Sequence, residues 1–242
     1  MKLRPRWKSV SDAWSEFLLF SPGSAEILGS NEILSMQVKK PELLVSERGV
    51  GKYRIEWKEL KSEADSPSRR QSALRDWQRA ELVRLGFFAY ATQSSQEESS
   101  QRLTTLAEFT LEAQLEMVRE KAPEADRPGV EGFTVFALGK LGAGDINFFS
   151  DLDLIFLRGV GDDAEASTRL ARALVGEMDA RGGDLIYRID LRLRPEGDRG
   201  PLVCTQETLE DYYAAYGEVW ERCAWIRGRR VAGDPENAYE ML

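Results

Sequence analysis

Residues 133–157 read FTVFALGKLGAGDINFFSDLDLIFL, and their order decides the fold. FTVFAL at 133–138 and DLIFL at 153–157 are short runs rich in aromatic and branched residues, the composition of strands. Between them lies Gly139-Lys140-Leu141-Gly142-Ala143-Gly144, which reads as a flexible turn whose backbone can approach a ligand closely, because three of its positions lack a Cβ. Ser150 then introduces Asp151-Leu152-Asp153 at the start of the second strand. Residues two apart on a strand share a face, so the spacing predicts Asp151 and Asp153 side by side with Leu152 turned away. Two carboxylates that close repel each other unless a cation sits between them, and hard oxygen ligands of this kind suit Mg2+ or Mn2+.

Downstream, a helix is expected over about 163–181, followed by a third strand in DLIYRIDL at 184–191. Asp190 is a lone acid between Ile189 and Leu191. If its strand neighbours that of Asp151, it completes a three-carboxylate pocket able to hold two metal ions against a triphosphate. Arg192, Arg194 and Arg199 follow, where guanidinium forks could grip phosphate oxygens. Each piece also has an ordinary reading. An acid pair can be surface charge, the glycines a tight loop, Lys140 a solvated cation, and the arginines partners of Glu196, Asp198 and Asp211. Ser150 reads better as a turn hydrogen bonder than as a nucleophile, because no histidine exists to activate it. The ordered occurrence of all the pieces is what favours a site.

Composition narrows the chemistry further. With no histidine, Ser-His and Cys-His systems and most zinc sites are excluded, and Cys204 and Cys223 are too few for a disulfide framework. The balance of 33 basic against 41 acidic residues gives a net charge of −8, which disfavours a polynucleotide partner. Apolar and charged fractions of 42% and 31% are those of a folded globular chain. The longest apolar runs fall far short of the roughly 20 residues that span a bilayer, and MKLRPRWKSV at the N-terminus lacks a following apolar block. No membrane partner and a cytoplasmic location are therefore expected.

The first half reads as helices without chemistry. Trp7, Val10, Trp14, Phe17 and Leu18 recur at helical spacing until SPGS at 21–24 interrupts them. A second helix is predicted from Ser66-Pro67 through Leu74, Trp77, Leu85 and Phe88, with Ser66 as cap. Ser94–Ser100 looks like a turn, and a third helix carries Leu103, Leu106, Thr110, Ala113 and Met117 up to a loop at 123–132. The Trp and Phe residues on these faces are expected in the core rather than as a cofactor platform. After the strands, Thr205 is a predicted N-cap, with Leu209, Tyr212, Tyr213, Tyr216 and Trp220 following at helical spacing.

Apolar-Gly-x at Leu138-Gly139-Lys140, then Asp151-Leu152-Asp153, then Ile189-Asp190-Leu191 resembles the polymerase-beta-type nucleotidyltransferase superfamily. LGKLGAGDINFFSDLDLIF, RIDLRLRPEGDRGPLV and YGEVWERCAWIRGRRVAGD together resemble the glutamine synthetase adenylyltransferase family, specifically over about 133–234. The resemblance implies an α+β fold: a helical N-terminal segment packed on a small mixed sheet with flanking helices, then C-terminal helices. It also implies two regions, a helical one over 1–125 and a nucleotidyltransferase core over 126–242.

Members of that family carry two related catalytic domains, one attaching AMP to a tyrosine of glutamine synthetase with ATP and magnesium, the other removing it by phosphorolysis to give ADP. Ile146-Asn147 and Gly197-Asp198-Arg199-Gly200-Pro201-Leu202 look more like the AMP-removing, N-terminal domain. By this resemblance Asp151, Asp153 and Asp190 are catalytic and hold Mg2+ or Mn2+. Gly139, Lys140 and Ser150 contact the phosphates of ATP or ADP, with Arg192 and Arg194 helping. Ala143 and Asp145 stand where the family pattern leads one to expect glycine and glutamate. A family member of this length is expected to be a fragment or a short standalone relative. Two rival readings stay open: the same chemistry on a different acceptor, and a non-catalytic module that binds nucleotide or glutamine synthetase.

Overall fold

The computed structural model describes residues 3–178 and 187–234. The chain divides into two compact units, Met1–Phe109 and Thr110–Leu242. Helices account for the first: α1 (Val10–Phe20), α2 (Pro22–Ser30), α3 (Glu32–Val38), α4 (Val50–Glu63) and α5 (Pro67–Ala91), with α6 (Gln96–Lys121) running through the boundary between the units. Ser66 caps α5 as its sequence announces, its Oγ accepting from the Arg69 amide at 3.4 Å with Pro67 in the first turn. SPGS does not make a loop. Only Ser21 separates α1 from α2, and Pro22 starts the new helix, where its missing N–H costs nothing.

The polar stretch at 94–100 is likewise a helix start rather than a turn. Ser95 Oγ accepts from the Glu98 amide at 3.1 Å while the Glu98 carboxylate accepts from the Ser95 amide at 2.9 Å, a reciprocal capping box that launches α6. The aromatic faces are core, as expected. Trp14 meets Phe87 edge-on at 5.0 Å, and Tyr53 packs on Trp77 at 5.1 Å and Phe109 at 5.6 Å. Arg84 is buried beside them, its guanidinium donating to both oxygens of Glu81 at 2.6 and 2.8 Å, which satisfies the pair in low dielectric.

The second unit is built on β1 (Thr134–Ala137), α7 (Gly139–Ala143), β2 (Leu152–Leu157), α8 (Ala164–Met178), β3 (Ile189–Asp190), β4 (Val203–Cys204), α9 (Gln206–Ala215), α10 (Val219–Trp225) and β5 (Arg229–Gly233). The five strands form one mixed sheet in the order β3-β2-β1-β5, with β4 also pairing with β2. β1 runs antiparallel to β2 and β5, whereas β3 and β4 run parallel to β2. The structure is thus α+β, with helices flanking a small mixed sheet. β1 is buried along its whole length, and β2 apart from Asp153, which is why both read as continuous apolar runs. Phe136, Leu138, Ile155, Leu157, Cys204 and Leu209 form the core on one face, with Leu193, Tyr213 and Trp225 packed against it.

Several elements differ from the sequence-based expectation. The glycine segment 139–144 is a short helix closed by Gly144 at φ 71°, rather than a flexible turn. The predicted C-terminal helix is two: α9 stops before Gly217, and α10 restarts through a Glu218–Glu221 capping box, so Trp220 is not on the helix of Leu209. β5 was not expected at all. It is a charged edge strand, the kind whose composition hides it from hydropathy patterns. The helix over 163–181 appears as Ala164–Met178, and residues 179–186, where its end and the start of the expected third strand fall, lie outside the described residues. Among the described residues no helix is long and apolar enough to cross a membrane.

Candidate active site at the β2–β3 edge

The geometry starts from strand pairing. β2 and β3 lie parallel with Leu152 opposite Ile189 and Asp153 opposite Asp190, and the Leu152 amide donates to the Arg188 carbonyl at 2.9 Å. Two acids distant in sequence are therefore cross-strand neighbours on one face. Asp151 sits one residue before β2 and lines the same cavity, while Leu152 is wholly buried on the other side. Sequence periodicity placed the pair correctly even though the strand begins one residue later.

Asp153 is seated by Gly139, the glycine that opens α7 just after β1. Its backbone carbonyl accepts from the Leu138 amide at 2.9 Å, and its carboxylate occupies the space in which a Cβ at Gly139 would collide with it. Gly139 is itself left-handed, at φ 53°. This residue is thus required twice, by its own backbone and by the acid beside it. α7 packs equally tightly at Gly142, where a Cβ would meet the carbonyls of Ala137 and Arg227. Arg229 on β5 fixes the far end of α7, donating to the Gly142 and Leu141 carbonyls at 3.0 and 3.1 Å.

A cavity of about 520 Å³ opens on these acids, lined by Gly139, Lys140, Ala143, Asp145, Phe149, Ser150, Asp151, Asp153, Asp190, Arg192 and Arg227. Burial raises the Asp153 pKa above the usual carboxylate value, and the charges of Asp190 and then Asp151 push in the same direction against Arg192 and Lys140. Asp190 moves the other way. Arg192 wraps back onto it, its Nε donating at 2.9 and 3.0 Å, its Nη2 in close contact and its backbone amide donating at 2.9 Å, which holds the Asp190 pKa below the ordinary range despite partial burial. Arg188 lies 3.8 Å from Asp151.

Of the residues named from sequence, the structure brings Asp151, Asp153, Asp190, Gly139, Lys140, Ser150 and Arg192 to one cavity. Arg194 is not there. Its guanidinium donates to the Leu191 carbonyl at 2.8 Å and pairs with Asp198 at 3.3 Å, which shapes the loop after β3 instead. Ser150 closes a turn, its Oγ accepting from the Asn147 amide at 2.9 Å. Arg227 and Phe149 line the cavity without having been singled out, as do Ala143 and Asp145, which the sequence marked only as departures from the family pattern. Arg227 precedes β5 in a basic run, RGRR, whose charge was visible but whose position on the sheet was not.

The donor set is all hard oxygen, and the mutual repulsion at Asp153 is what a divalent cation would relieve, so the residues suit Mg2+ or Mn2+ in kind. Arg192 competes for the same acid. Among the described residues no group of three such donors is drawn together tightly enough to hold an ion with Asp190 clasped as it is. A second cavity of the same unit, about 450 Å³ between α6 and α8, has its charges already paired as Arg169–Asp126 and Lys121–Glu177.

One relative is the bifunctional glutamine synthetase adenylyltransferase/adenylyl-removing enzyme of Chromobacterium violaceum, 31% identical over 194 residues that cover 74% of this chain and 22% of the relative. The enzyme of the same description from Aromatoleum aromaticum is 35% identical over 161 residues, covering 60% of this chain and 17% of the relative. The chain thus spans about a fifth of the length of these relatives. The family described as glutamate-ammonia ligase adenylyltransferase matches residues 14–242, nearly the whole sequence. The chain belongs to the glutamate-ammonia ligase adenylyltransferase family.

Proposed function

We propose that the cavity at the β2–β3 edge performs metal-dependent adenylyl chemistry on a tyrosine of glutamine synthetase, attaching AMP to it or removing AMP from it by phosphorolysis. The observation that carries this reading is the register that sets Asp153 opposite Asp190, with Asp151 at the mouth of the same strand. In removal, an oxygen of inorganic phosphate attacks the phosphorus of the tyrosyl-AMP. The bond from phosphorus to the tyrosine oxygen breaks, and ADP and free tyrosine result. In attachment, the tyrosine oxygen attacks the α-phosphorus of ATP and pyrophosphate leaves.

Either direction concentrates negative charge on phosphate oxygens and needs it neutralised in place. Asp151 and Asp153 would hold Mg2+ or Mn2+, with Asp190 joining them once Arg192 turns from it to a phosphate. The bound ion supplies Lewis-acid charge neutralisation at the reacting phosphate. Lys140, Arg192 and Arg227 present cations to the remaining oxygens, and Gly139 keeps Asp153 in position. ATP or ADP is then substrate or product. The protein partner is glutamine synthetase, which the names of the relatives state for those proteins.

The Arg192 clasp on Asp190 favours one rival, a module that binds nucleotide without turnover. Incubating the chain with adenylylated and with unmodified glutamine synthetase, together with phosphate, ATP and MgCl2, separates the two. Loss of one AMP from the modified protein, by mass, supports removal, and gain of one AMP on the unmodified protein supports attachment. Nucleotide binding with neither mass change establishes the non-catalytic module and defeats the proposal.

A further inference from the structure

The cavity wall carries one aromatic ring that the fold does not use. Phe149 is 95% exposed, whereas Phe133, Phe136 and Phe156 of the same unit are at most 2% exposed. A phenyl ring left this exposed on the wall of a charged cavity is open to the flat face of a ligand. The ring is not on a loose tether. The Phe149 amide donates to Asn147 Oδ1 at 2.9 Å, the Asn147 amide donates to Ser150 Oγ at 2.9 Å, and the Ser150 amide returns a bond to the Asn147 carbonyl at 3.2 Å. Ile146, buried at 1% exposure, anchors the turn to the core just before it. The turn therefore fixes the backbone at 149 two residues before Asp151, with the side chain on the cavity wall.

The charged part of that wall is Lys140, Arg192 and Arg227, together with the acids. A ligand that satisfies all of them carries anionic oxygens and a flat aromatic face on one molecule. We infer that Phe149 is the stacking platform for the base of the bound nucleotide, a specificity-neutral clamp that positions the nucleotide while the charged residues take its phosphates. This rests on the reading that the cavity binds nucleotide. Every base has a π face and Phe offers no hydrogen bond, so the ring adds affinity for purine nucleotides generally and selects little between them.

The experiment is equilibrium titration of the full chain with ADP and, separately, with tripolyphosphate, both with MgCl2, for the wild type, Phe149→Ala and Phe149→Trp. Phe149→Ala is expected to weaken ADP by about tenfold, the scale of a lost base–aromatic stack, and to leave tripolyphosphate binding unchanged. Phe149→Trp is expected to bind ADP at least as well as the wild type, with quenching of the added indole emission. GDP should lose as much as ADP on Phe149→Ala. Unchanged ADP affinity in Phe149→Ala overturns the stacking role while leaving the site's nucleotide chemistry standing. So does an equal loss for tripolyphosphate, which would assign the effect to the turn. A wild type that binds neither ADP nor tripolyphosphate overturns the nucleotide reading and the stack with it.

Discussion

Ionising Asp153 costs stability. Burial raises its pKa, and Asp190 and Asp151 add to the shift. A carboxylate whose folded pKa lies above its unfolded value contributes stability only below the unfolded value, and that contribution is lost as pH rises through the folded one. At neutral pH the ionised group is therefore unfavourable. Asp153→Asn is expected to melt at the wild-type temperature or higher without divalent ions, while adenylyl turnover drops by roughly two orders of magnitude or more, because several kcal/mol of charge stabilisation at the phosphate are at stake. A variant that melts much lower, or that keeps wild-type turnover, removes Asp153 from this role. Gly139→Ala tests the same seat from the other side. Its φ of 53° and the carboxylate it borders make a methyl group costly, by about 1–2 kcal/mol for the left-handed backbone alone, and turnover should fall as Asp153 is displaced. Denaturant melts paired with the mass assay read both. At this scale the acids were legible in the sequence, since strand spacing alone sets Asp151 beside Asp153. What Gly139 touches was not, because spacing says nothing of which neighbour fills the space a glycine leaves.

At the scale of elements, the loop after β3 is held by a helix. Tyr213 on α9 donates from its hydroxyl to the Leu193 carbonyl at 2.6 Å, between Arg192 at the cavity and Arg194 on the loop. Burial pushes the Tyr213 pKa up to about 12. The folded value is the raised one, so this stability is fully present below the ordinary tyrosine pKa of about 10 and is lost as pH climbs from there towards 12. Denaturant midpoints measured from pH 8 upwards should fall for the wild type and fall less steeply in Tyr213→Phe. Parallel curves would show that Tyr213 does not carry the effect. The buried Cys204 thiol, also pushed up to about 12, contributes in both proteins and cancels in the difference. Capping is the second lever: Thr205 Oγ1 accepts from the Thr208 amide at 3.2 Å, and Thr205→Ala should cost about 1 kcal/mol. Ser66 was readable as a cap because Pro67 follows it in the first turn, and Thr205 because Leu209 and the tyrosines follow it at helical spacing. Ser95 was not, since its helix opens on Gln-Glu-Glu with no apolar residue to mark the face. β4, two residues long, and the cationic β5 were beyond any periodicity, because such strands are defined by the partners they find, whereas β3 falls inside the strand read at 184–191.

For the molecule as a whole, the composition shift at 123–132 marks where strands begin, whereas compactness divides the chain at 109/110, inside α6; these report different things, secondary structure and packing. Charge is the property that acts at this largest scale. The sequence carries a net −8, and the cations of the proposed site, Lys140, Arg192 and Arg227, share their cavity with four carboxylates, Asp145, Asp151, Asp153 and Asp190. Polynucleotide binding draws on many backbone phosphates met by an extended basic surface, and a chain repelling that backbone gains no such sum. A single nucleotide asks only for one concentrated cluster, and a divalent ion brought with it reverses the sign of the acids' contribution. Labelled single-stranded RNA and DNA of about 20 nucleotides should therefore bind with Kd weaker than about 10⁻⁴ M at about 0.15 M salt, below the usual range of nonspecific binding. ADP with Mg2+ should bind more tightly than either strand under the same buffer, as read by fluorescence anisotropy for the strands and calorimetry for the nucleotide. Tight, steeply salt-dependent capture of either strand would mean that a basic groove outweighs the net charge, and the acceptor chemistry proposed for the site would have to change from a protein tyrosine to a nucleic acid end.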